Sequence, residues 1–329
     1  MKPFRSLVLG ALLAAAAALP AYAAQSLRIA FLAPPGSRWD SIFKSMAADV
    51  YARTHHDVKI RFIGGGVMGD ETDEVRKMRI GELQGAALTG MGLGLIDPEV
   101  RVLELPLLYR NDADVDRATA RIGGYLDKQF DRKGYELLGW AEVGPVYLFT
   151  NKPIYRLSDL QGVKMWMWEG DRLAEAIFHQ LKVIPQPLAI TNVLTSLETG
   201  MIDGAYNAPE ALLALQWNSK VKYMLNLRLT QSMGALLVTK SAWQRLSPAD
   251  QAVLRQDGQK YCREIVVDGR KDNQEAIAAL RDQGIKVTTI SAADRAKLQR
   301  DAAIVQRSLV GKLYPAALLN EVKAGIGRR

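Results

Sequence analysis

The sequence is short of the residues that usually build metal and nucleophilic centres. It contains one cysteine, Cys262, and three histidines, His55, His56 and His179, in 329 residues. A lone cysteine cannot form an internal disulfide. Neighbouring histidines in a polar turn point to different sides, and His179 has no second ligand at helical spacing, so no metal site is predicted. No Gly-x-Ser-x-Gly motif occurs. We therefore expect neither an enzyme nor a protein with a cofactor.

Long apolar runs are missing after the first residues of the chain. Lys2 and Arg5 precede an apolar run at 7–19, and Ala-Tyr-Ala at 21–23 has the form of a signal-peptidase site. The run is shorter than the ~20 residues that span a bilayer. Residues 1–23 are therefore predicted to be a bacterial secretory signal peptide, and we expect a soluble periplasmic protein.

The charge pattern gives no sign of nucleic-acid binding. The formal net charge is +8, but Lys and Arg are interspersed with acidic residues, and no block of five or more basic residues occurs. Such a distribution is typical of a solvated surface. We expect no nucleic-acid partner.

Predicted strands alternate with helices along the rest of the chain. The strands are expected at 27–33, 58–63, 85–89, 135–141, 146–150, 163–168, 221–225, 235–238 and 285–288. Residues 185–187 (Pro-Gln-Pro) are interpreted as a turn. The alternation predicts an α/β fold with a mainly parallel, doubly wound sheet. Because about 300 residues exceed one compact core, we expect two domains.

One long helix is predicted near the carboxyl end of the chain. Ser247 is a suitable N-cap and Pro248 a suitable first residue, and the helical pattern runs to about Asp282. Such a helix is long enough to cross two domains. Gly258 and Gly269 are poor helix formers, so the continuity of the helix is left open.

Two tryptophans stand close together in the predicted strand at 163–168. Trp166 and Trp168 share one face of that strand, because side chains alternate along a strand. Each buried indole N–H needs a hydrogen-bond acceptor. Two interpretations are open: an ordinary buried strand, or one wall of a ligand site.

The glycine-rich segment at 64–69 follows a predicted strand and precedes a helix. It lacks the Gly-Lys-Ser/Thr of a P-loop and the spacing of a dinucleotide fingerprint. We therefore interpret it as a backbone loop that faces a ligand, and not as a nucleotide site.

Five segments, taken in order, resemble the solute-binding proteins of tripartite ATP-independent periplasmic (TRAP) transporters, of the dicarboxylate-receptor (DctP) type. The resemblance covers nearly the whole mature chain. The segments are Ala-Pro-Pro-Gly-Ser-Arg-Trp at 33–39, Gly-Gly-Val-Met-Gly at 65–69, Leu-Pro-Leu-Leu-Tyr at 105–109, Leu-Ser-Asp-Leu-Gln-Gly-Val-Lys at 157–164, and Leu-Glu-Thr-Gly-Met-Ile-Asp-Gly with Asn-Ala-Pro at 197–209.

The resemblance implies a periplasmic binding protein fold, with two α/β domains around a ligand cleft and a long helix spanning both. It implies domain I at 24–144 and 233–272, and domain II at 145–232 and 273–329. It also implies capture of a small-molecule ligand by hinge closure and delivery to integral membrane subunits of a TRAP transporter. We expect a monomer.

The departures from the family pattern concern the ligand. The arginine that clamps a ligand carboxylate in the family is replaced by Trp166, and Gly144 to Val146 occupy the place of a second arginine. Ile190 and Leu194 stand where the family has aromatic residues, whereas Asn207 is retained. Because an anion in an apolar cleft needs a cation, we expect a neutral or mostly apolar ligand, lipid-like, sterol-like or aromatic.

The residues expected to bind this ligand come from both predicted domains. They are Trp39, Met68, Thr89, Tyr147, Trp166, Trp168, Ile190 and Asn207.

Two alternatives remain from the sequence. The ligand could be a small organic acid held by another cation, for which Arg38 and Lys164 are the candidates. Alternatively, the protein could be a lipid-binding chaperone or a sensor partner that is no longer coupled to transport.

Overall fold

The computed structural model describes residues 25–327, and the predicted signal peptide lies outside them. The strands are β1 Gln25–Phe31, β2 Val58–Ile63, β3 Gly85–Thr89, β4 Tyr135–Thr150, β5 Lys164–Met167, β6 Ile184–Pro187, β7 Gly204–Asn207, β8 Tyr223–Thr239 and β9 Lys286–Thr288.

The helices connect these strands and cover both faces of the sheet. They are α1 Arg38–Arg53, α2 Glu71–Arg79, α3 Gly90–Ile96, α4 Asp112–Arg132, α5 Arg172–Leu181, α6 Val193–Glu198, α7 Pro209–Ala214, α8 Lys240–Trp243, α9 Pro248–Asp282, α10 Ala292–Ser308 and α11 Ala316–Gly325. Short 3₁₀ helices occur at Pro98–Glu104, Leu157–Leu160, Ile190–Asn192 and Trp217–Ser219. Within residues 25–327, no helix is both long and apolar enough to cross a membrane.

The strands form one mixed sheet in the order β2-β1-β3-β8-β4-β7-β5-β6, with β9 beside β8. The outer strands pair in parallel, as the alternation predicts. The expectation of a mainly parallel sheet is wrong at its centre, where β8 pairs antiparallel with β3 and β4, and β4 with β7. One end of the sheet, with β1 to β3, belongs to what we call the first domain, and the other end, with β5 to β7, to the second domain.

Two long strands, β4 and β8, run through both domains. The sequence predicts each as two separate strands, because Gly144 and Pro145 interrupt one pattern and polar residues interrupt the other. The structure shows that both are continuous, with bulges in their pairing between Leu137/Gly139, Glu142/Gly144 and Val146/Leu148. A bulge lets a strand bend while it keeps its partner. At Gly144 the backbone φ is 134°, a value that glycine tolerates best.

The predicted long helix is confirmed as α9, which has 35 residues and no break. Ser247 accepts the backbone N–H of Asp250, as expected of its N-cap. Gly258 does not interrupt the helix but lets it approach the sheet. A Cβ atom placed there would lie 2.6 Å from the Leu138 Cβ of β4.

The Pro-Gln-Pro segment forms a strand, β6, and not the predicted turn. It pairs with β5 alone and lies at the edge of the sheet. Proline lacks a backbone N–H, so it is tolerated in a strand that has one free edge.

The last two helices connect the domains. Gln180 of α5 donates to the Asp301 carboxylate of α10 at 2.9 Å. Arg121 of α4 pairs with Glu321 of α11 at 2.6 Å. By the predicted boundaries, α4 belongs to domain I and α11 to domain II. The contact between these two helices therefore crosses the predicted domain boundary.

Candidate functional site

A cavity of about 170 Å³ lies where β4 and β8 pass from one domain to the other. Its wall is mostly apolar and aromatic. The first domain contributes residues from α1, from the end of β3 and from the 3₁₀ helix at Pro98–Glu104, and the second domain contributes the segments after β5 and at the end of β7. Ligand sites of α/β proteins typically lie at the carboxyl ends of strands, between domains.

Five of the eight residues expected to bind the ligand line this cavity. They are Trp39, Thr89, Trp168, Ile190 and Asn207. Asn207 ends β7, and its side-chain oxygen accepts the N–H of Ala208 at 2.9 Å. The structure therefore brings together residues that are far apart in the chain.

Met68, Tyr147 and Trp166 do not contribute to the cavity wall. Met68 is buried in the apolar core. Tyr147 is half-buried in β4, opposite Asn207 in the strand ladder.

Trp166 lies in the core of the second domain, behind the wall. It is fully buried, and its indole N–H donates to the Leu188 carbonyl at 2.9 Å. Its ring stacks on Tyr206, which lines the cavity, at 5.0 Å, and meets Trp217 edge-on at 5.2 Å. In this conformation Trp166 supports the wall from behind, and its direct contact with a ligand stays a prediction.

Trp168, by contrast, connects the two domains. Its indole N–H lies 2.9 and 3.1 Å from the two carboxylate oxygens of Asp70, which caps α2 of the first domain. The backbone N–H of Ile190 donates to the same carboxylate at 3.2 Å. Two groups of the second domain thus bind one buried carboxylate of the first domain.

Arg101 is a cavity residue that the sequence analysis did not select. It is 7% exposed, and its Nη2 lies 3.0 Å from each carboxylate oxygen of Asp171. Its Nε lies 3.1 Å from Glu104 Oε2. Burial raises the pKa of Glu104 to about 6, although Arg101 acts against this shift. The sequence does contain a signal for this site: Arg101 and Glu104 interrupt an otherwise apolar run at 100–105.

The other carboxyl groups that line the cavity also have partners inside the protein. Glu71 accepts hydrogen bonds from Thr89 N at 2.6 Å, Thr89 Oγ1 at 2.8 Å and Gly92 N at 2.6 Å. Burial nevertheless raises its pKa to about 7. Glu142 accepts from Gln231 Nε2 at 2.7 Å and pairs with Arg270 of α9. These carboxyl groups are therefore engaged without a ligand.

The chain matches one known protein family over most of its length. The model of the DctP family, described as bacterial extracellular solute-binding protein, family 7, matches residues 29–310. The chain belongs to this family.

A curated relative matches most of the chain. A protein of Verminephrobacter eiseniae named as a solute-binding protein is 27% identical over 311 residues, which are 91% of this chain and 89% of that protein.

Solved structures show the same fold. A TRAP periplasmic solute-binding protein from Desulfovibrio salexigens, with bound orotic acid, has a TM-score of 0.85 at 19% identity, over 92% of this chain and 98% of that one. The sugar acid binding protein DctPAm of Advenella mimigardefordensis, in complex with galactonate, has a TM-score of 0.84 at 21% identity, over 92% and 99% of the two chains. These likenesses confirm the expected α/β binding-protein fold.

The two cations considered for an acid ligand do not line the cavity of this DctP-family protein. Arg38 is exposed and its Nε lies 3.0 Å from an Asp272 oxygen of α9. Lys164 is exposed at the start of β5. Arg101 is the one cationic side chain among the described residues that line the cavity.

Metal binding has no support in the described part of the chain. Within residues 25–327, no three His, Cys, Asp or Glu side chains are grouped closely enough to hold an ion. The Cys262 thiol lies in the cavity wall, 1% exposed, and burial raises its pKa to about 12. A thiol with such a pKa is a poor nucleophile at neutral pH.

Proposed function

We propose that the protein is the periplasmic solute-binding component of a TRAP-type transporter, and that it captures a compact, uncharged and mainly apolar solute. One observation carries the ligand class: Arg101, the cation of the cavity wall, is already neutralised by Asp171 and Glu104. An anionic ligand would need a cation to offset its desolvation.

The size of the cavity indicates how large the proposed uncharged solute is. Apolar cavities of about 150 Å³ hold a benzene-sized molecule, and this cavity measures about 170 Å³. Trp39 and Ile190 are among the apolar side chains that line this cavity and are available to such a ring. Family membership supports delivery of this solute to integral membrane subunits.

The position of the cavity between the domains supports capture by hinge closure. We place the hinge in β4 near Gly144 and in β8 near Ser232, at the predicted domain boundaries 144/145 and 232/233. The bulge at Gly144 supports this position. A ligand held by both domains stabilises the closed conformation over the open one.

A small organic acid is the second candidate, because the two solved neighbours described above hold orotic acid and galactonate. An acid would require Arg101 to leave Asp171. The acid candidate therefore depends on a rearrangement, whereas the neutral solute does not.

Mass spectrometry of solute extracted from the purified protein separates the two candidates. We expect an uncharged molecule, and we expect benzamide to raise the melting temperature more than benzoate does. A co-purified carboxylic acid, or a larger shift with benzoate, would overturn the proposed ligand class. Affinity capture of the membrane subunits by tagged protein tests the proposed transporter partner.

A further inference from the structure

The ion pair between Arg101 and Asp171 joins the two domains inside the cavity wall. Arg101 belongs to the 3₁₀ helix Pro98–Glu104 of the first domain, and Asp171 precedes α5 in the second domain. Both residues line the cavity, and they are 7% and 5% exposed. The pair therefore occupies the position between domains that a ligand takes in a binding protein of this type.

Asp171 makes two kinds of contact, and only one of them needs its charge. Its Oδ1 accepts the backbone N–H groups of Leu173 at 3.0 Å and Ala174 at 3.1 Å, as the N-cap of α5. Asparagine and serine cap helices about as well as aspartate does. The negative charge of Asp171 is thus directed at Arg101, whose Nη2 it contacts through both oxygens.

We propose that Asp171 is a specificity-determining residue that occupies Arg101 as a ligand carboxylate would, and so excludes organic acids from the cavity. This inference rests on the proposed function, whose uncharged ligand it explains. Arginine binds carboxylates through paired donors and strong, charge-assisted hydrogen bonds. With Asp171 in place, those Nη2 donors are taken.

The charge around Arg101 also disfavours the binding of an anionic ligand. Arg101 lies between two carboxyl groups, those of Asp171 and Glu104, so the group of three is negative when both are ionised. In a poorly solvated cavity an approaching anion is repelled more strongly than in water. Loss of the Asp171 charge leaves a neutral Arg101–Glu104 pair and frees the Nη2 donors for a ligand.

The test compares acids with uncharged molecules of nearly the same shape, on the wild-type protein and on Asp171→Asn. Binding of orotate and uracil, and of benzoate and benzamide, is measured by isothermal titration calorimetry. We expect the wild type to bind neither acid more tightly than its uncharged counterpart. We expect Asp171→Asn to bind at least one acid at least about tenfold more tightly than the wild type does.

Three further variants control this comparison. Asp171→Ser also keeps a capping oxygen, so it should gain acid binding too and serves if Asp171→Asn does not fold. The double variant Arg101→Met/Asp171→Asn should lose the gain, because the guanidinium is removed. Glu104→Gln removes a carboxylate but leaves Asp171 on Nη2, so its gain should be smaller than that of Asp171→Asn.

The outcomes distinguish this inference from the proposed function. Folded Asp171→Asn and Asp171→Ser proteins that bind orotate and benzoate no better than the wild type would overturn the inference alone. A gain that persists without Arg101 would do the same. Wild-type protein that binds orotate more tightly than uracil would overturn both the ligand class and the inference, and that arm requires no variant to fold.

Discussion

Trp166 and Trp168 lie two residues apart in the chain but belong to different regions. Trp166 belongs to the aromatic core of the second domain, and Trp168 belongs to the cavity wall. In the core, Trp166 packs against Tyr206 and Trp217, and its N–H bonds Leu188 of the same domain. In the wall, the Trp168 N–H bonds Asp70 of the other domain. Trp166 thus stabilises one domain, whereas Trp168 joins the two domains.

The largest expected effect comes from Trp166→Ala, which removes a fully buried ring from the core. The loss of packing should lower the free energy of unfolding by about 3–5 kcal/mol, measured by urea denaturation. Because the ring lies behind the cavity wall, the folded variant should retain the co-purified solute on native mass spectrometry.

Trp39→Ala is the matched control for this substitution, since Trp39 is half-buried and lines the cavity. It should cost only about 1 kcal/mol of stability but should lose the solute. If Trp166→Ala instead loses the solute while it stays folded, Trp166 belongs to the site and the contrast between core and wall fails.

The sequence predicted the scaffold better than it predicted the wall. Capping residues, alternating patterns and motif order led to α9 and to the two-domain α/β fold, because these signals are local or repeated. The continuity of β4 was missed, since Gly144 and Pro145 resemble a strand end unless a partner strand holds the bulge. Arg101 was missed because its partner, Asp171, is 70 residues away in the chain. Pairings of that kind are determined by tertiary structure.

The pH dependence of stability should come from buried carboxyl groups with raised pKa values, and not from the aromatic core. Glu71 and Glu104 belong to the cavity wall, whereas Glu74 and Glu210 lie outside it. Burial raises the pKa of Glu71 from 4.5 to about 7. The folded state therefore holds this proton more tightly than the unfolded state does. The resulting stabilisation is present below pH 4.5 and is lost as the pH rises to about 7, by at most about 3 kcal/mol.

Glu71→Gln removes this titration, so its unfolding free energy should change less between pH 4.5 and 7.5 than that of the wild type. Urea midpoints at several pH values within this range measure the difference. Glu169→Gln, at an exposed position, should leave the wild-type slope unchanged. Identical slopes for Glu71→Gln and the wild type would remove Glu71 as the source, and Glu210, whose pKa burial raises to about 8, would be the next group to test.

The most direct test of the comparison, with a smaller expected effect than Trp166→Ala, comes from Trp168→Phe. This change keeps an aromatic ring in the wall but removes the N–H that bonds Asp70. A hydrogen bond to a charged group contributes about 1.5 kcal/mol or somewhat more, so the balance between closed and open conformations should shift about tenfold towards the open form. Small-angle X-ray scattering of the solute-free protein should then show a larger radius of gyration.

Trp166→Phe is the control for this shift, because it also removes an indole hydrogen bond, but one whose acceptor, Leu188, lies within the second domain. It should reduce stability without changing the radius of gyration. An equal radius for both variants and the wild type would show that the bond from Trp168 to Asp70 does not hold the domains together. An increase in both variants would mean that the packing of the wall as a whole, and not this one bond, controls closure.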